Sequence, residues 1–477
     1  MAHQQQMSNL VNLSRSKTIG LAMLLVAVSP TLSVHAQSMS DADRRTLQQS
    51  LADYDAGRLS QALGPLQVLA KRYGNDAEIQ AATGMTLAEL GNIQGAVPLL
   101  HRAHTLSPRR TDFTTNLAVA YMKAGQASAA ELLLGGAVRE GTRDVQLHVL
   151  LAQAHMQADH PAPAAEAFQQ AATLLRAAGS RPDEILLHDW AVALLQSGHA
   201  PEAANLLREA PETAGAASLQ ALLAEAEEGG KRYESAALHF KRAAELDPSE
   251  ANIYAYGNEL MQHWTFPAAA QILRFGVERY PSSERMRMAL GIAYYGNNQY
   301  VEAIPVLSKL LDERPDSAQG ADLLGRSCAM RVGGDVSACT HLRSFAEAHP
   351  NNARASLYAA VVILRQPADQ QDTKAAETLL LAAVHADPQL AEAWYQLGVV
   401  QQTNGKWQNS VQPLERAIAL QPAYPEAHYR LARAYSRLNR RDEAKQQVEL
   451  QQKYTAEAKD LENKRMQEVM TFLTSLN

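Results

Sequence analysis

Apolar positions recur along most of this chain with the period of a helix, and the pattern is sharpest between residues 391 and 454. In 391–403 the apolar or small side chains stand at Trp394, Leu397 and Gly398. In 407–420 they stand at Trp407, Ser410, Leu414 and Ala417. Both sets follow the i, i+3/i+4, i+7 spacing of an amphipathic helix. Asn404-Gly405 between them tolerate positive φ and signal a turn. Pro422 ends the second helix, because proline has no N–H to donate and clashes with the preceding turn. The prediction is an antiparallel helix hairpin, with Gly398, Ser410 and Ala417 small enough to let the two backbones approach.

The next segment repeats the first at an offset of 34 residues: Trp394 falls on His428, Leu397 on Leu431, Gly398 on Ala432 and Leu414 on Val448. A fixed period in this range means a repeat array. The motif W-x2-L-G…A-x3-L-x2-A…P, with Ser410 in place of the first alanine, resembles the tetratricopeptide repeat. The same phase runs back through the chain. Residues 77–110 carry Gly84, Leu87, Gly91, Ala96, Leu100 and Ala103; residues 284–317 carry Leu290, Gly291, Tyr294, Ala303 and Leu307. Prolines 248, 281, 315, 350, 388 and 422 close successive units, and the two long intervals match Gly333-Gly334 and an inserted loop around Gln366–Asp372.

The resemblance implies an all-α fold, a right-handed α-solenoid (superhelix) of about twelve helix-turn-helix repeats over residues 37–458. Thr83 and Gln49 depart from it, standing where a large apolar residue is expected, and Gln451 replaces the last alanine. Beyond the array, Met466, Val469, Met470 and Leu473 form a helical stripe. Residues 459–477 are therefore expected to be a capping helix over the last repeat, with a partner-docking helix as the alternative.

Arg15 and Lys17 precede an apolar run, Ile19 to Val28, followed by Val34-His35-Ala36 before Gln37. This reads as a secretory signal peptide over residues 1–36, with an uncleaved N-terminal anchor as the alternative. The run is too short for a stable membrane span once the signal is removed. The expectation is an exported protein, periplasmic or extracellular. Cys328 and Cys339 flank the Gly333-Gly334 turn, one on each helix of a hairpin. In an oxidising compartment they can pair; otherwise they are two small core residues.

Charge and chemistry narrow the function. With 44 Lys+Arg against 50 Asp+Glu the chain is acidic, net −6, and it has no extended basic surface for nucleic acid. It contains no P-loop, dinucleotide fingerprint, G-x-S-x-G or H-E-x-x-H motif. His101/His104 and His155/His160 come nearest to metal spacing, but each pair lacks a third ligand close in sequence. The expectation is no enzyme, no cofactor and no metal.

In the family that this chain resembles, the first helices line a concave groove that holds a partner segment. The resemblance places Met85, Met122, Met156, Tyr254, Asn258, Met261, Met288, Tyr295, Tyr395 and Tyr429 on that stripe. Methionine adapts its shape and tyrosine offers area with a polar tip; the alternative is ordinary packing between repeats. Arg430, Arg433 and Arg437, at i, i+3 and i+7, make a local basic stripe. It either receives acidic groups of a partner or pairs with Glu426, Asp442 and Glu443. The reading is a protein-binding scaffold of the cell envelope. The alternative is a periplasmic adaptor of a polysaccharide-export or surface-assembly machine, meeting an acidic glycan.

Overall fold

A computed structural model describes residues 39–314, 317–330, 337–366 and 372–475; the proposed signal peptide lies outside them. Among the described residues the regular elements are all helical. The first compact unit ends at Lys231 and the second runs from Arg232. Unit 1 holds α1 (Asp41–Asp55), α2 (Leu59–Arg72), α3 (Ala77–Glu89), α4 (Ile93–Leu106), α5 (Thr111–Lys123), α6 (Ala127–Arg139), α7 (Val145–Gln157), α8 (Pro161–Ala177), α9 (Glu184–Gln196), α10 (Ala200–Glu209) and α11 (Ala217–Gly229). Unit 2 holds α12 (Tyr233–Leu246), α13 (Glu250–Gln262), α14 (Phe266–Arg279), α15 (Glu284–Gly296), α16 (Tyr300–Glu313), α17 (Ala318–Met330), α18 (Ser337–Ala348), α19 (Ala353–Leu364), α20 (Thr373–Ala386), α21 (Ala391–Thr403), α22 (Trp407–Leu420), α23 (Pro425–Arg437) and α24 (Arg441–Ser475). The boundary falls between α11 and α12.

Local chemistry sets the helix ends. Asp76, Asp144, Asp183, Ser283 and Asn352 cap first helices by accepting from backbone N–H groups that have no partner within the helix. The turn between paired helices needs one left-handed residue. Gly405 supplies it at φ 74° and Asn439 at φ 61°, the residue types for which that conformation costs least.

Two layers form within each unit. First helices pack on their own second helix and on the next repeat's first helix, as in α3 with α4 and α5, and α21 with α22 and α23. They are therefore enclosed: α3 is buried without a break from Ile79 to Ala88. Second helices bury one stripe only, as in α4, where Ala96, Leu100 and Ala103 face inward. Close approach explains the small residues. A Cβ at Gly398 would lie 2.5 Å from Leu414 Cγ, so only glycine leaves the leucine its place.

The departures from the repeat pattern have physical accounts. Thr83 is fully buried, and its hydroxyl donates to Ile79 O at 2.7 Å. Ser410 is likewise buried and donates to Trp407 O at 2.7 Å. Both hydroxyls meet carbonyls, so burial leaves no orphaned donor. Gln49 is exposed and bonds Asp53. The C-terminal cap requires correction. Residues 441–475 form one continuous helix of 35 residues, so 459–477 is not a separate element. From Gln451 to Arg465 the chain holds no glycine or proline, and i, i+4 pairs such as Lys464–Asp460 at 2.8 Å extend the helix. Residues 455–467 of it are exposed. It returns towards α12, and Arg465 lies at 4.9 Å over the ring of Trp264, in the turn between α13 and α14. Met466 is exposed; the side chains of Val469, Met470 and Leu473 lie outside the described residues.

Candidate functional site

The residues expected along the binding stripe differ in how far the fold covers them. They occupy the fifth, ninth and twelfth positions of first helices. In unit 1, Met85 and Met122 are only 1% and 2% exposed and sit in one apolar cluster. Asn116 Nδ2 lies 3.2 Å from Met85 Sδ. These two are core residues, not groove residues, because the first helices around them are enclosed on every side. Met156 is half-buried against the same cluster.

In unit 2 the equivalent positions are half-open. Tyr254, Asn258, Met261, Met288, Tyr295 and Tyr395 are all intermediate in exposure. Arg285 stacks over Tyr254 at 4.9 Å, and Tyr295 meets Tyr300 edge-to-face at 5.4 Å. Tyr395 packs on Tyr424 at 5.0 Å. Burial pushes both hydroxyls up, with Glu392 adding to the rise at Tyr424.

The basic stripe of α23 is not laced to carboxylates as the sequence allowed. Among the described residues Arg430, Arg433 and Arg437 have no ion pair, while Glu443 pairs with Arg440. Arg433 lies 5.8 Å from the Trp407 ring and 5.9 Å from the Tyr429 ring, and Arg437 lies 5.3 Å from Trp407. Tyr429 is 51% exposed. Cations over aromatic faces form an amphipathic plate whose guanidinium edges still have donors to offer.

Other groups meet that the sequence kept apart. Cys328 and Cys339 are joined as a disulfide with Cα atoms 5.8 Å apart. A shallow depression is lined by Pro267, Arg274, Tyr294 and Gln299, and none of the expected stripe residues lies in it. His155 and His160 meet a carboxylate that is distant in sequence. Glu131, one repeat earlier, places Oε1 2.7 Å from His155 Nδ1 and 2.8 Å from His160 Nδ1. Burial alone would raise the Glu131 carboxyl, but the hydrogen bonds from His160 and His155 outweigh it and hold the carboxyl below its ordinary value. His101 and His104 gain no such partner among the described residues; His104 Nδ1 meets Thr114 Oγ1 at 3.2 Å.

Stacked helix hairpins with tyrosine, methionine and arginine on their first helices define a repeat protein of the interaction-module class. One tetratricopeptide-repeat model matches residues 87–154, 260–326 and 402–463. A second model of the same repeat matches 188–251 and 368–425. Together they span more than half of the sequence, and the chain belongs to the tetratricopeptide-repeat family. No curated protein matches it. Among solved structures, Naa15/Naa10 bound to HypK-THB shares 14% identity over 86% of this chain and 68% of that one, with a TM-score of 0.37. The APC/C hetero-tetramer Cut9-Hcn1 shares 15% over 91% and 93%, with a TM-score of 0.34. MamA shares 18% over 43% and 96%, with a TM-score of 0.27. Among the described residues no helix is long and apolar enough to cross a membrane.

Proposed function

We propose that this chain is a non-enzymatic, exported scaffold of the cell envelope, binding a segment of another protein along the first-helix face of unit 2. The observation that carries this reading is the half-open row Tyr254, Met261, Tyr295 and Tyr395, against the sealed row Met85 and Met122. Side chains that offer large area and a polar tip, left partly uncovered by their own fold, suit a docked chain. The Cys328–Cys339 bond supports an oxidising compartment, and the n-region, h-region and cleavage pattern of residues 1–36 supports export.

The test uses the chain from Gln37 as bait on envelope extracts, with the stoichiometric partner then purified and titrated. Changing Tyr254, Met261 and Tyr295 together to alanine should weaken that partner by roughly tenfold or more. Unchanged affinity in the folded triple variant rejects the face. The second reading, an adaptor meeting an acidic glycan, draws on the Trp407–Tyr429–Arg433–Arg437 plate. It requires binding of an acidic oligosaccharide that falls as salt rises and disappears when Arg430, Arg433 and Arg437 become alanine.

A further inference from the structure

We propose that Glu131, His155 and His160 form a binding site for a divalent transition ion of the zinc type. The site is independent of the partner-binding reading, because it lies in unit 1 and uses none of the residues named for docking.

Three elements deliver the ligands. Glu131 is the fifth residue of α6, His155 stands in the last turn of α7, and His160 is the N-cap of α8. Asp159, at φ 64°, makes the sharp turn that brings His160 back beside His155. The two ring centroids are 6.4 Å apart. One ligand atom from each residue lies within 4.8 Å of the other two. The side chains of Glu131 and His155 are largely covered, whereas that of His160 is 56% exposed. The cluster is therefore a bowl with a protein floor and one side open to solvent.

The donor set selects the ion. Two imidazole nitrogens and one carboxylate oxygen suit zinc and its neighbours, not magnesium or calcium, which take oxygen ligands. A tetrahedral zinc ion with bonds near 2.1 Å holds its ligand atoms about 3.4 Å apart. The Glu131 contacts at 2.7 and 2.8 Å thus have to open by about 0.6–0.7 Å. A carboxylate on a second helix does this by a small change of rotamer. Water completes the shell on the open side.

Unit 2 shows why the histidines are more than a clamp. There the same three positions hold Glu377, the fifth residue of α20, Gln401, the eleventh of α21 as His155 is of α7, and Lys406, the N-cap of α22. Gln401 Nε2 donates to Glu377 at 2.7 Å and Lys406 Nζ lies 3.8 Å from it. An amide and an ammonium tie the carboxylate whatever the tautomer. A neutral imidazole does so only when its proton sits on the nitrogen that faces Glu131. As hydrogen-bond donors the two histidines are the weaker choice; as metal ligands they have what glutamine and lysine lack.

The test is titration of the chelator-stripped full chain, free of any affinity tag, with Zn2+ by calorimetry and with Co2+ by visible absorption. The wild type should take up one equivalent that the His155→Gln/His160→Lys variant does not, the variant carrying the side chains of unit 2. The midpoint of thermal unfolding should rise with Zn2+ for the wild type and stay within error for the variant. Equal uptake by both proteins, or no saturable uptake by the wild type at micromolar Zn2+, overturns the site. X-ray absorption on the zinc-loaded wild type decides the matter should the variant not fold. Two imidazoles in the shell support the site and an oxygen-only shell rejects it.

Discussion

The two carboxylate clamps, Glu131–His155–His160 and Glu377–Gln401–Lys406, occupy identical places in two repeats and do different chemistry. In both, a glutamate on a second helix reaches the following repeat and is gripped from the end of its first helix and the start of its second. Elsewhere these places are mostly filled for packing, although Glu227, the eleventh residue of α11, pairs with Arg208 and Lys445 takes the fifth place of α24. The fifth residue of the second helix is Val97, Ala165, Ile304 or Val411, and the eleventh of the first helix is Leu87, Tyr121, Leu260 or Tyr294. The backbone of the array fixes where the side chains meet, and each repeat is then free to choose what meets. Cys328, also an eleventh residue, uses the same place for a covalent bond to Cys339.

The largest effect comes from moving one chemistry onto the other frame. Gln401→His with Lys406→His should give unit 2 a second zinc site, so that calorimetry finds one more equivalent than in the wild type. Unchanged stoichiometry in a folded variant would show that equivalent positions do not supply equivalent geometry. Next in size is the frame itself. The eighth residue of α21 is Gly398, facing Leu414; the eighth of α7 is Ala152, fully buried. Gly398→Ala forces a methyl against the Leu414 branch and should cost about 1–3 kcal/mol. Ala152→Gly removes a methyl and adds backbone freedom, for about 1 kcal/mol. Denaturant midpoints rank the two, and equal losses would remove the steric account of the glycine.

Most of the frame was legible in the sequence and part of the chemistry was not. Spacing reports which residues share a helix face, so the hairpins, their turns and the small residues at crossings could be read directly. It does not report how far each face is covered. Met85 and Met122 share the stripe of Tyr254 and Tyr395, yet the helices around them close over the first pair and leave the second half-open. Nor does spacing within one helix reveal a ligand from the previous repeat: Glu131 precedes His155 by 24 residues. The one local signal was a glutamate where most other repeats have an apolar residue. The continuous α24 was missed for the opposite reason. A change from apolar periodicity to charge looked like a boundary, although Lys453, Glu457, Asp460 and Lys464 are good helix neighbours and nothing there stops the chain.

The smallest expected effect separates the metal-free clamp from the site that it becomes. Glu131 has its carboxyl held below the ordinary 4.5 by His160 and His155. A carboxyl lowered on folding adds stability that is present in full above its unfolded value and is lost as pH falls through the folded value. Glu131→Gln removes that contribution. In chelator, therefore, the wild type should exceed the variant in stability at neutral pH, and the gap should close as pH drops below about 4.5. Denaturant titrations at several pH values read the gap directly. A gap that stays constant into acid would mean that Glu131 acts through shape alone, and that the histidines grip it no more tightly than the unfolded chain does.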